Sequence, residues 1–147
     1  MELFELKNKS VLITGSSRGI GKSIALHAAI HGAKVIISSR KIDACKATAK
    51  EINDHLGSEL AFPIAGNIAI ESDLENLVSQ SNKILGKIDV LICNAATNPF
   101  MGSMADIPSD AFDKVLNNNI KANHILANLV TPQMIVTKFA NIWFALM

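Results

Sequence analysis

The 147-residue chain contains no tyrosine, and this absence limits what its other features imply. No side chain in it offers a phenol for acid–base work. Only two cysteines are present, Cys45 and Cys93, far apart and without metal-ligand spacing. That argues against a disulfide framework and for a reducing compartment. Charge is nearly balanced, 14 Lys+Arg against 13 Asp+Glu, which excludes a nucleic-acid footprint or a polybasic membrane patch. No window approaches the ~20 apolar residues of a membrane helix. The N-terminus carries Glu2 and Glu5 beside a brief apolar run and does not read as a signal peptide. Repeats, low-complexity tracts and linkers are also missing. The expectation is a single-domain cytoplasmic protein with a real core and neither nucleic acid nor membrane as partner.

What is present is concentrated in one octet, Thr14-Gly15-Ser16-Ser17-Arg18-Gly19-Ile20-Gly21. It follows the apolar run Ser10–Ile13 and opens a segment of helical periodicity. Strand, glycine turn and helix together make a dinucleotide cradle plausible on physical grounds. Gly15 permits a sharp turn where a Cβ would clash, Gly19 permits close approach to a pyrophosphate, and Gly21 lets helix pack on strand. The helix start offers unpaired N–H groups and a positive dipole end to an anion.

Strand and helix signals then alternate. Strands are expected at Ser10–Thr14, Lys34–Ser38, Leu60–Ala65 and Ile88–Cys93. Helices are expected at Gly19–His31, Lys41–Leu56, Ile70–Leu85 and from an N-cap at Ser109 to about Val130. Gly32, Gly57 and Gly86 close the first three helices. Ile20, Ile24, Ala28 and Ile30 suggest one face of the first helix, and Leu74, Leu77, Val78, Ile84 and Leu85 the core contacts of the third. Pro63 argues that the third strand lies at an edge. The fold class is α/β: a doubly wound, Rossmann-like parallel sheet of order 3-2-1-4, incomplete, over residues 1–133, with an atypical apolar tail over 134–147. An anion site is expected at the switch point between strands 1 and 4, where Asn94–Pro99 faces the octet.

These stretches resemble the short-chain dehydrogenase/reductase family. The octet matches its Thr-Gly-x-x-x-Gly-x-Gly pattern. Cys93-Asn94-Ala95-Ala96 is similar to its Asn-Asn-Ala-Gly motif, and the helix around Asn117-Asn118-Asn119 resembles the one carrying its catalytic asparagine, which implies Asn119. The Asn-Ala-Ala-x-Asn-Pro-Phe run is similar to NADP-dependent carbonyl reductase and retinol dehydrogenase members. The resemblance implies hydride transfer between an alcohol and a ketone or aldehyde. It assigns the cofactor to Gly15, Ser17, Arg18, Gly19, Ile20, Gly21, Ser39, Arg40, Asn67, Ile68, Asn94, Ala95 and Ala96. No carboxylate follows the second strand until Asp43, so Arg18 and Arg40 are expected to meet a 2′-phosphate, and NADP is expected over NAD. Asn67 stands where the family has an aspartate facing adenine, and its amide oxygen can still accept. Ile68 would offer its N–H to the same ring. Ala96 adds a methyl where the family has glycine.

The family's Ser, Tyr and Lys lie beyond the helix ending near Val130, and with no tyrosine the chain is expected to be inactive by itself. Alternatives from other classes are a non-catalytic nucleotide-binding or oligomerisation module, or half of a split enzyme. The tail Ile135–Met147 lacks the family's glycine-containing fifth strand and is open to three readings: a helix extension, a replacement strand, or an unnatural end. An uncovered fourth strand would invite association, so a homo-oligomer or pairing through that edge is expected. His27 and His31 are four apart but have no third ligand in view and read as surface histidines, with no metal expected. Cys93 reads as a core thiol.

Overall fold

The computed structural model describes residues 5–145; Glu2 and the last two tail residues lie outside the described residues. The elements are β1 (Ser10–Thr14), α1 (Gly19–Ile30), β2 (Lys34–Ser39), α2 (Ile42–Leu56), β3 (Ala61–Ala65), α3 (Glu71–Leu85) and β4 (Val90–Cys93). A short 3-10 turn (Met104–Asp106) leads to α4 (Ser109–Val115), a π turn (Leu116–Lys121), α5 (Ala122–Thr137) and β5 (Asn141–Phe144). All strand pairs are parallel and the order is β3-β2-β1-β4-β5.

Alternation along the strands makes this a two-faced sheet. Val11, Ile13, Val35 and Ile37 pack with Ala25, Ala29, Ala49 and Ile52 of α1 and α2. Leu12, Ile36 and Leu91 pack on the other face with Leu74, Leu77, Leu126 and Val130 of α3 and α5. Each fully buried Leu or Ile is worth about 1.5–3 kcal/mol, so the strands are set from both sides. Pro63 pairs opposite Ile37 on the outermost strand, where its missing N–H costs no ladder bond.

Several expectations are corrected. The buried face of α1 is Gly21, Ala25, Ala28 and Ala29, with Ile20 57% exposed, because small residues let the helix settle close to the sheet. Ile84 of α3 is likewise exposed. Ser109 begins α4, and Pro108 holds the capping position with no side-chain cap. The fourth helix does not stop near Val130. Ala122, Leu126, Val130 and Met134 bury one stripe at every fourth residue, and that packing carries α5 through Pro132 to Thr137. The fourth strand is no exposed edge either: β5 pairs with β4 in register Val90↔Asn141 to Cys93↔Phe144, the replacement-strand reading of the tail. The β4 edge is therefore covered and not bare. Among the described residues, no helix is long and apolar enough to cross a membrane.

Candidate functional site

The carboxyl ends of β1, β2 and β4 converge on a cavity of about 880 Å³. Its floor is stitched by the first residues of the octet. Thr14, buried at the end of β1, accepts through Oγ1 from the N–H groups of Asn94 and Ala95, each at 3.1 Å. Asn94 answers by donating Nδ2 to the carbonyls of Thr14 and Gly15, both at 3.1 Å. Ser16, fully buried, donates Oγ to Ile13 O at 2.7 Å and accepts from Ser38 N–H at 2.8 Å, tying the turn to β2. Thr48 of α2 donates to Ser17 O at 2.8 Å and holds the turn from behind. The loop is thus fixed by neighbours on three elements.

Two glycines show what the turn demands. Gly15 has φ +66°, and a Cβ there would sit 2.9 Å from Ala95 Cα, so the octet and the loop after β4 touch backbone to backbone. Gly19 has φ +58°, with nothing within 4 Å of where its Cβ would be. It borders the cavity, and this open space is what a bulky anionic group needs. Gly21 works differently: a Cβ there would meet Gly15 O at 2.4 Å and Asn94 Nδ2 at 2.5 Å, so it packs α1 against the turn and does not line the cavity. The start of α1 has no side-chain cap and no acidic residue in its first turn, which leaves its N–H groups and dipole for a ligand.

The remaining walls come from β2, β3 and β4. Ser39 at the end of β2 and Arg40 just past it line the cavity, with Asn67 and Ile68 past β3, and Asn94, Ala95 and Ala96 past β4, beside Ser17, Arg18 and Ile20 of the turn. Asn67 Oδ1 accepts from Ala69 N–H at 3.1 Å within its own loop, and Asn67 N–H donates to Asp73 at 2.9 Å. One lone pair of that oxygen is thereby used locally. Arg18, Arg40 and Lys114 are the charged residues lining the cavity, and no carboxylate joins them. Among the described residues, none of the three makes an ion pair.

Asn119 lies behind this wall. Its Oδ1 accepts from Thr97 N–H at 2.8 Å and its Nδ2 donates to Thr97 O at 3.0 Å, a two-bond clamp on the loop after β4. Asn118 adds a bond from Nδ2 to Thr97 Oγ1 at 3.2 Å, and Asn123 donates to Asn119 O at 2.7 Å. The widened π turn is what presents two successive asparagines to one loop residue, a feature that often marks functional sites. Sequence reading missed Thr14, Ser16, Thr97, Asn118 and Lys114. Thr14, Ser16, Thr97 and Asn118 sat inside or beside the recognised motifs, whereas Lys114 carried no signal. Burial pushes the Cys93 thiol up from 9.0 to about 12, so it is an inert core group.

A doubly wound parallel sheet with a glycine turn at its switch point defines a nucleotide-binding α/β protein. The comparisons are narrower: the family model described as short chain dehydrogenase matches residues 9–144, and the chain belongs to that family. It is 40% identical over 133 residues to dehydrogenase/reductase SDR family member 4 of Bos taurus, covering 88% of this chain and 46% of the relative. It therefore spans about half the length of the curated relatives it matches. Among solved structures, a 7α-hydroxysteroid dehydrogenase complexed with NADH and 7-oxo glycochenodeoxycholic acid is 32% identical with a TM-score of 0.87, over 95% of this chain and 53% of that one. A metagenomic short-chain oxidoreductase in complex with NADP is 28% identical with a TM-score of 0.84, over 93% and 61%. The family binds NAD or NADP, and both cofactors occur among these neighbours.

Proposed function

We propose that the chain is the cofactor-holding part of an NADP-dependent oxidoreductase that passes hydride between an alcohol and a ketone or aldehyde. The observation that carries the cofactor choice is the cavity's charge: Arg18 and Arg40 line it past β1 and β2, and no carboxylate does. An acid past β2 would accept from a ribose 2′-OH, whereas guanidinium forks suit a 2′-phosphate. Bound NADP would supply the hydride donor or acceptor. The uncapped start of α1 and Gly19 would take the pyrophosphate, Gly15 and Gly21 keep the turn in shape, and Ser17, Ile20 and Ser39 border the same ligand. Ile68 N–H and the free lone pair of Asn67 would meet the adenine edge, with Ala95 and Ala96 against the adenosine. Asn119 holds, through Thr97, the loop after β4 against which the cofactor would lie.

Because these 147 residues include no tyrosine, this polypeptide by itself is proposed to bind cofactor without turning substrate over. Arg40→Ala should weaken NADPH at least tenfold and leave NADH nearly unchanged, as expected for a lost charge-assisted phosphate contact of about 1.5–3 kcal/mol. Equal losses for both nucleotides would overturn the assignment. NADPH oxidation with a panel of ketones and aldehydes should show no turnover by this chain, and clear turnover would refute the proposed deficit.

A second reading, a binding or oligomerisation module or one half of a split enzyme, is favoured by the exposed apolar residues near β5. Ile135 is 69%, Val136 82% and Trp143 65% exposed. A homo-oligomer located in the cytoplasm belongs to the same reading. Light scattering separates the outcomes: a monomer at micromolar concentration removes the oligomer.

A further inference from the structure

Lys114 belongs to no motif that points to a cofactor, yet it lines the same cavity as Arg18 and Arg40. It stands in the last turn of α4, four residues before Asn118 of the π turn. Asn118 also lines the cavity and donates to Thr97. Lys114 is therefore part of the wall built on the loop after β4, whereas the two arginines belong to the wall at the ends of β1 and β2.

Its neighbours make the placement informative. Asp110 lies four residues earlier, in the acid-then-lysine order that favours a pair on a helix surface. No such pair is present, and among the described residues Lys114 has no ion pair at all. It lines a cavity whose walls carry no carboxylate. The strand order β2-β1-β4 puts its wall two strand spacings, roughly 10 Å, from the β2 end where Arg40 stands. That separation sets Lys114 apart from the β2 end, where a 2′-phosphate would meet Arg40.

We infer that Lys114 is a further cofactor-binding residue, a cation that attracts the adenosine–pyrophosphate portion shared by NAD and NADP. This rests on the proposed function. It divides the labour between the two walls: Arg18 and Arg40 discriminate between the dinucleotides, and Lys114 raises affinity for both.

The test is calorimetric titration of wild type, Lys114→Ala and Lys114→Glu with NADPH and with NADH, at low salt and at about 0.5 M salt. Loss of one unit charge near a phosphate should weaken both nucleotides by about fivefold at low salt. The NADPH/NADH ratio should stay at the wild-type value, the loss should be larger for the glutamate variant, and it should shrink at high salt as screening grows. Unchanged affinities for both nucleotides would overturn the inference, as would a loss confined to NADPH. If wild type binds neither nucleotide, the proposed function itself fails. If wild type binds and Lys114→Ala binds as tightly, only the role of Lys114 fails.

Discussion

Replacing Gly21 by alanine would put a methyl carbon 2.4 Å from Gly15 O, 2.5 Å from Asn94 Nδ2 and 2.9 Å from Ser16 Cα. All three belong to the junction that joins β1, the glycine turn and the loop after β4. None is the free end of a flexible side chain, since Asn94 is buried and bonded to both Thr14 O and Gly15 O. Relief requires α1 to lift from the turn or Asn94 to give up those bonds. Overpacking costs about 1–3 kcal/mol and each weakened hydrogen bond about 0.5–1.5 kcal/mol, so a loss of about 2–5 kcal/mol is expected. That is a large part of the 5–15 kcal/mol typical of a domain. Urea unfolding followed by far-UV circular dichroism measures it. Gly19→Ala is the control, because a Cβ there meets nothing within 4 Å and only the positive φ resists it, at about 1–2 kcal/mol. A Gly21→Ala variant within about 0.5 kcal/mol of wild type would refute the packing account.

Four further outcomes are expected. Asn119→Ala removes both bonds to Thr97 and should cost about 1–3 kcal/mol of stability, read from urea midpoints, with faster amide exchange in the loop after β4. Both cysteines are buried, so a thiol reagent at pH 8 should react slowly with the native chain and find two thiols after denaturation. The Cys93 thiol is raised from 9.0 to about 12 by burial, so the unfolded chain ionises first; the stability from this group is complete below pH 9 and is lost as pH rises towards 12, which unfolding midpoints across that range check. Deleting residues 135–147 strips β5 from β4 and should cause aggregation visible by light scattering, whereas an unchanged oligomer size would count against the edge argument.

Much of this architecture was legible because local chemistry and packing agree. Gly32, Gly57 and Gly86 all carry positive φ where helices end, and β1 and β2 are runs of buried, largely β-branched or leucine residues. The octet was readable because its glycine spacing stands between a strand signal and a helix signal, although the bonds that fix it come from Ser38, Thr48, Asn94 and Ala95, far away in sequence. What stayed hidden depends on tertiary context. Thr131-Pro132 looks like a helix stop, but Met134 continues a buried stripe that holds α5 together. The run Asn141–Phe144 is apolar on both sides and has no period to separate strand from helix, and only pairing with β4 decides it. The π turn has no sequence signature, so the grip of Asn118 and Asn119 on Thr97 was out of reach.

The central claim is that an arginine-lined, carboxylate-free cleft prefers a 2′-phosphorylated dinucleotide. Side-by-side calorimetric titration of the 147-residue chain with NADPH and NADH, at one salt concentration, tests it most directly. The account predicts saturable binding of NADPH at least about tenfold tighter than that of NADH. Equal affinities, or a preference for NADH, would contradict it.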